Sequence, residues 1–256
     1  LSPGKACHGD DCPYARGYYD KLPAAIEQAM ARGTMRREDL EALARQHEVC
    51  PYELAHDLVP WVDVIIGDVH YVYSLTASLG TRMDSADERW TVLLDEAHNL
   101  PERARSMYSA NLEKARLMAA RREASGALRK ALDACNRALL ALNKEAWSEP
   151  DFDSRDTLPA NLVNALQRFV AAVGERQAQQ PLLLQRHPAL LDFYFDVLQF
   201  QRVLDEFDTD FRFELHRERP DKPASLRLGL RCLDASRLLA QSAQRWQESI
   251  KSKKAL

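Results

Sequence analysis

The sequence predicts a mainly α-helical protein with a small, incomplete α/β portion, and three observations carry that prediction. Residues 110–143 are rich in Ala, Leu, Arg and Lys and nearly free of helix breakers. Residues 160–178 and 188–208 again place apolar side chains at helical spacing. Only two short runs, 62–66 and 91–94, have the continuous apolar character of buried parallel strands.

Composition limits the function classes. The chain has 256 residues, 46% hydrophobic and 29% charged, which is globular material with room for one large or two modest domains. A net charge of −3 gives no global basic field, so a nucleic acid would need a local basic stripe. No apolar run approaches the ~20 residues of a membrane span. The start, Leu-Ser-Pro-Gly-Lys-Ala-Cys, lacks the apolar core of a signal peptide and a Met, so a segment of a longer chain is expected. Five unevenly spaced cysteines do not read as a disulfide framework. A reducing cytoplasm with metal ligation fits them better.

Residues 7–14 read Cys-His-Gly-Asp-Asp-Cys-Pro-Tyr, a turn-rich loop that lets two sulfurs converge. A helical pattern follows from 18 to 48, with Leu22-Pro23 opening one helix, Gly33-Thr34 interrupting, and a second helix running from Thr34 to about His47. Cys50-Pro51-Tyr52 then repeats the Cys-Pro-Tyr of residues 12–14, each copy placing a sulfur before a helix-starting Pro. Three readings of Cys7, Cys12 and Cys50 stand: buried free thiols, a zinc site completed by His8 or His47, or an iron–sulfur cluster whose fourth thiolate lies upstream. Cys135 and Cys232 have no ligand neighbours and read as core.

A short helix at 53–59 closes at Pro60, and the strand expected at 62–66 ends at Gly67-Asp68. Loop and helical pieces lead to the second expected strand, 91–95, which releases Asp95-Glu96-Ala97-His98 at its end. The carboxyl edge of a parallel sheet is where such folds bind ligands. Adjacent residues on a strand point to opposite sides, so one carboxylate can face a metal-bound phosphate and the other a water. Beyond 99 the chain reads as helical to about 210, with an acidic, turn-rich connection at 150–159 and an aromatic stripe of Phe193, Tyr194, Phe195, Phe200 and Phe207 that reads as core in preference to a base-stacking platform. Residues 211–216 and 225–233 alternate at period two and predict a pair of adjacent strands, after which Asp234 caps a last helix.

In order, Cys-x₄-Cys-Pro-Tyr-Ala-Arg-Gly-Tyr-Tyr-Asp (7–20), Cys-Pro-Tyr-Glu-Leu (50–54), Val-Asp-Val-Ile-Ile-x-Asp (62–68) and Leu-Leu-Asp-Glu-Ala-His-Asn-Leu (93–100) resemble the XPD/DinG-type superfamily 2 DNA helicases, the iron–sulfur helicases. The resemblance is strong over 7–108, general over the helical region and moderate at 230–239. It implies a helical iron–sulfur domain and a helical arch inserted in an incomplete RecA-like α/β motor domain. The implied segments are 1–52 for the cluster domain, 53–100 for motor, 101–210 for the arch and 211–256 for the return to the motor. Cys7, Cys12 and Cys50 would be three of four ligands of a 4Fe–4S cluster. Asp95 would hold Mg²⁺, Glu96 would orient the attacking water, and His98 would couple ATP hydrolysis to strand movement. Arg16, Tyr18, Tyr19, Arg36 and Arg37 are the expected strand contacts, as cations and aromatics near the cluster.

The implied activity is ATP-driven 5′→3′ translocation on single-stranded DNA, with opening of forked or tailed duplex, in repair or replication. A protein partner on the arch is a further expectation. Two departures stand out. No Gly-x₄-Gly-Lys-Ser/Thr occurs, since Gly4-Lys5 is followed by Ala6, so the isolated segment is expected to lack ATPase. The family usually has Asn where this chain has His70. The competing expectation is a non-enzymatic helical interaction module with a structural zinc site.

Overall fold

A computed structural model describes residues 12–85, 90–217 and 226–252. The chain divides into two compact units, residues 1–67 and 68–256. The mainly α character holds in both.

The first unit contains helices α1 (Tyr18–Arg32), α2 (Arg37–His47) and α3 (Pro51–Asp57). Its core is made by Tyr18, Ala25, Ala29, Leu43, Ala44, Val49, Leu54 and Leu58. The small alanines let α1 lie close against its neighbours. Pro23 does not open α1 but lies inside it, where its missing N–H removes one backbone bond from an early turn. Gly33, at φ 72°, ends the helix with its N–H bonded to the Met30 carbonyl. The second helix begins at Arg37 rather than at Thr34, its start held by the Arg36 N–H donating to the Asp39 carboxylate at 3.0 Å.

In the second unit, α4 (His70–Tyr73), α5 (Ser78–Ser85) and α6 (Leu100–Met107) precede β1 (Ala110–Glu113), α7 (Lys114–Glu123), α8 (Gly126–Lys144), β2 (Phe152–Arg155), α9 (Ala160–Gln179), α10 (Pro188–Asp205), β3 (Phe211–Arg217), β4 (Leu226–Cys232) and α11 (Ser236–Ser252). The four strands form one sheet in the order β1-β4-β3-β2, antiparallel throughout. Its inner face carries Leu112, Phe211, Phe213, Leu215, Leu228 and Leu230. These pack with Leu132, Cys135 and Leu139 of α8, Phe169 of α9 and Phe193 and Phe200 of α10 in a single core. The Phe169 and Phe193 rings meet at 5.5 Å. The aromatic stripe is therefore core at Phe193 and Phe200, while Phe195 is exposed.

The structure departs from the sequence reading in four further places. Neither 62–66 nor 91–95 is a strand, and the parallel sheet expected from them is not formed. A strand needs another to take its N–H and C=O groups, and no strand among the described residues lies beside these runs, so Val64, Ile66 and Leu93 stand 76%, 96% and 89% exposed. Residues 110–143 are not helical throughout: they form two helices, as expected, preceded by a strand. Ala110–Glu113 pairs with β4, and the helix breaks at 124–126, where Ser125 is extended and Gly126 has φ 56°. Within the expected connection 150–159, Phe152–Arg155 joins β3. The pair at 211–217 and 226–232 forms in register as expected, and Asp234 accepts the Ser236 N–H at 2.9 Å at the start of α11.

Candidate functional site

The Asp-Glu-Ala-His tetrad sits on a turn that leads directly into α6. Residues 97–99 form one 3₁₀ turn, and Pro101 occupies the first turn of the helix, where its missing N–H costs nothing. Asp95 accepts the Glu96 N–H at 2.8 Å through Oδ1. Glu96 adopts the left-handed conformation, φ 50° and ψ 40°, which a non-glycine residue holds only at a cost. That twist turns its carboxylate back toward the helix, where Oε2 lies 3.3 Å from His98 Nδ1. All three side chains are exposed. Asp95 keeps Oδ2 for a cation, and Glu96 and His98 form a pair that can hold or pass a proton.

Beside the α4 start lies a cluster that the sequence reading missed. Asp68 Oδ1 accepts the His70 N–H at 3.0 Å and also meets His70 Nδ1, while Oδ2 lies 3.4 Å from Arg103 of α6. The two His70 bonds hold the Asp68 carboxyl below the usual range. The helix that follows the tetrad is thus tied to the Asp68-Val-His70 turn. The signal was the Asp-x-His spacing before a short helix, a capping pattern, but Arg103 stands too far along the chain to be read from it.

In the first unit, Cys12 and Cys50 are free and half-buried. Cys12 accepts the N–H groups of Ala15 and Arg16 on its carbonyl, at 3.0 and 3.1 Å, and so closes the turn before α1. Cys50 is the residue before Pro51 at the start of α3 and packs on the unit's core. Cys7 and His8 lie outside the described residues. Among the described residues no three His, Cys, Asp or Glu groups converge as a metal set. Thiolates are the donors that iron–sulfur and zinc sites use.

Of the expected strand contacts, Tyr19 is 82% exposed and packs edge-on against Tyr18 at 5.4 Å. Arg16 and Arg36 are exposed, and Arg37 is exposed but paired with Glu41 at 3.0 Å. Tyr18 is buried, its hydroxyl donating to Asp57 at 2.7 Å. Cys135 and Cys232 are buried as expected, their thiols pushed up to about 12 and about 11, in each case first by burial. No helix among the described residues is long and apolar enough to cross a membrane.

Comparison with known proteins finds helicase relatives. The family model described as DEAD_2 matches residues 4–117. A Fanconi anemia group J protein homolog from Gallus gallus is 32% identical over 119 residues, which is 45% of this chain and 9% of that protein. The ATP-dependent DNA helicase CHL1 of Saccharomyces cerevisiae (strain YJM789) is 33% identical over 75 residues, 29% of this chain and 8% of that protein. The chain therefore matches less than a tenth of the length of either relative. Residues 4–117, which hold the Cys-Pro-Tyr repeat, the Asp68–His70 turn and the Asp95-Glu96-Ala97-His98 tetrad, are thus similar to the DEAD_2 domain of XPD/DinG-like helicases.

Proposed function

We propose that this chain is the cluster-to-arch segment of an ATP-dependent DNA helicase that moves 5′→3′ along single-stranded DNA and opens duplex ahead of it, in repair or replication. The observation that carries the reading is the Asp95-Glu96-Ala97-His98 turn, held within a segment that matches the DEAD_2 family. Asp95 would hold Mg²⁺ through the oxygen that Glu96 N–H leaves free. The ion, bound with ATP, would neutralise charge on the phosphates. Glu96 would orient the attacking water, and its contact with His98 gives a route by which a change at the phosphates reaches α6. From α6, Arg103 reaches Asp68 and so His70. This chain of contacts supports a coupling role for His98.

Cys7, Cys12 and Cys50 would supply three thiolates to a 4Fe–4S cluster, which would cross-link the ends of a unit whose own core is small. Arg16, Tyr19, Arg36 and Arg37 would contact the strand. Tyr18, being buried, would act by holding Tyr19 in place. The exposed runs at 62–66 and 91–94 have the composition to pair with motor strands elsewhere in the longer protein. The phosphate-binding loop would come from outside this sequence, so the 256-residue chain alone should hydrolyse no ATP.

The test is DNA-stimulated ATPase of the longer protein. Hydrolysis should rise on adding single-stranded DNA, and Glu96→Gln should lower it about 100-fold or more. An ATPase indifferent to DNA, or unchanged by Glu96→Gln, overturns the reading. Iron and sulfide analysis of anaerobically purified protein decides the metal: zinc without iron refutes the cluster. A second reading, a helical interaction module, draws on Phe195 and Leu182, which stand 55% and 51% exposed. It requires that removing residues 101–210 leaves DNA affinity unchanged and abolishes capture of a protein partner.

A further inference from the structure

The outward face of the four-stranded sheet takes no part in the sites above. Alternation along β3 and β4 sends Phe211, Phe213, Leu215, Leu226, Leu228 and Leu230 into the core. The opposite face receives Arg212, Glu214 and His216 from β3 and Arg227, Gly229 and Arg231 from β4. The register aligns these across the strands. Phe152, His216 and Arg227 form one row through β2, β3 and β4, and Arg212 stands directly opposite Arg231 four residues further on. The two rows are about 13 Å apart at ~3.3 Å per residue. Between them Gly229 faces Glu214, so no β4 side chain rises from the middle of the face.

Among the described residues the charges on this face are poorly compensated. Glu214 is engaged by His216, with Oε2 3.2 Å from Nε2. Glu113, in register with Arg227, sits on the edge strand, close enough to Asp196 to act on its charge. Among the described residues no carboxylate comes within ion-pair distance of Arg212, Arg227 or Arg231. Arg212 donates instead to two backbone carbonyls, Phe211 at 2.6 Å and Thr209 at 3.1 Å. The Arg227 Nε is buried without a hydrogen-bond partner, and Arg231 is exposed. Two like charges directly opposite on a sheet repel and destabilise it. An anion bridging them removes that penalty, and a guanidinium fork fits a phosphate. At the other end Phe152 and His216 lie at 5.0 Å with a 52° tilt, an aromatic corner beside Arg227. Flat antiparallel sheets bind single strands in this way, with bases on ring faces and phosphates on flanking cations, at two or three nucleotides per face.

We propose that the outward face of this sheet is a single-strand contact of its own, in which Arg212, Arg227 and Arg231 hold phosphates and the Phe152–His216 corner takes a base. The proposal deepens the helicase reading and rests on it for the ligand class. It adds a surface far along the sequence from Arg16, Tyr19, Arg36 and Arg37.

The test is fluorescence anisotropy of a labelled oligothymidylate titrated with the 256-residue chain across a salt series. Arg212→Gln with Arg231→Gln should weaken binding about fivefold or more. It should also flatten the log affinity against log salt by about 1.4, the loss of two single-strand phosphate contacts at ~0.7 each. Arg212→Lys with Arg231→Lys keeps both charges and should keep the slope, which separates lost contact from lost fold. Unchanged affinity and slope in the Gln pair, with binding lost on Arg36→Ala and Arg37→Ala, overturns the sheet contact and leaves the helicase reading standing. No binding by the chain at any salt also overturns it, while DNA-stimulated ATPase of the longer protein still decides the helicase reading.

Discussion

Tyr18 donates its hydroxyl to the Asp57 carboxylate at 2.7 Å, joining the first turn of α1 to the last turn of α3 across 39 residues. The bond closes the first unit between the two segments that carry Cys12 and Cys50. Burial raises the Tyr18 hydroxyl well above the usual tyrosine range, and the hydrogen bond to Asp57 raises it further. A group raised on folding contributes stability that is complete below its unfolded pKa and lost as pH climbs toward the folded one. Tyr18→Phe should therefore cost about 1–2 kcal/mol at pH 7. It should also remove the extra destabilisation that the native chain suffers above pH ~10. Hydrogen exchange of the amides in 18–57 at the two pH values reads both effects, and an unchanged alkaline slope would sink the idea.

The burial of Tyr18 shows what sequence pattern can and cannot carry. Next to Arg16 and Tyr19 it reads as a strand contact, because aromatic and cationic residues cluster there. Its partner lies 39 residues away, and no local pattern encodes that. The same limit explains β1. Its four residues sit against a helix-rich stretch, and they become strand only because β4, more than a hundred residues later, offers its edge. Conversely 91–95 has strand composition and forms none, because composition supplies the apolar face but not the partner. Helices α8, α9 and α10 were legible because each carries its whole signal within itself, as at Leu128, Leu132, Cys135, Leu139 and Leu142. The tetrad is legible in the sequence as four adjacent residues. Its tie through Arg103 and Asp68 to His70 is not.

Gly80 gives a prediction whose sign is unusual. In a helix, Gly→Ala ordinarily stabilises by up to ~1 kcal/mol. A Cβ on Gly80 would stand 2.5 Å from the Val72 carbonyl oxygen and 3.2 Å from the Ala77 Cβ. The neighbour is backbone, which cannot swing aside, so α5 must move off α4. Gly80→Ala should destabilise the second unit by about 1–3 kcal/mol. Gly174 in α9 has nothing within 4 Å of an added Cβ, and Gly174→Ala is the matched control that should stabilise. Urea melts of the two variants should move in opposite directions.

Asp196 of α10 pairs with Arg116 at 2.8 Å, yet its carboxyl is pushed up to about 6. Burial outweighs Arg116, and Asp192 and Glu113 add to the rise. The favourable contribution of a raised carboxyl is present below the unfolded value near 3.9 and lost as pH rises through about 6. Within that window the second unit should lose stability as pH rises, and Asp196→Asn should abolish that part of the slope. A carboxyl carbon titration should place the Asp196 midpoint near 6, against a value below 4 if Arg116 dominated.

The last prediction concerns the strain at the tetrad. Glu96 holds φ 50°, a conformation that costs an L side chain roughly 1 kcal/mol and glycine almost nothing. Glu96→Ala and Glu96→Gly both delete the carboxylate and the contact with His98, so both should lose the ATPase of the longer protein alike. Their stabilities should differ. At an ordinary position the Ala variant is the more stable of the two, because glycine loses more chain entropy on folding. At 96 the relief of strain should offset or reverse that order, leaving the Gly variant level with the Ala variant or above it by up to ~1 kcal/mol. Paired melts of the two variants read the difference directly. An Ala variant clearly more stable than the Gly variant would mean that Glu96 is not held left-handed. The carboxylate would then be aimed by packing around it, and the turn into α6 would carry no strain that ATP binding could release.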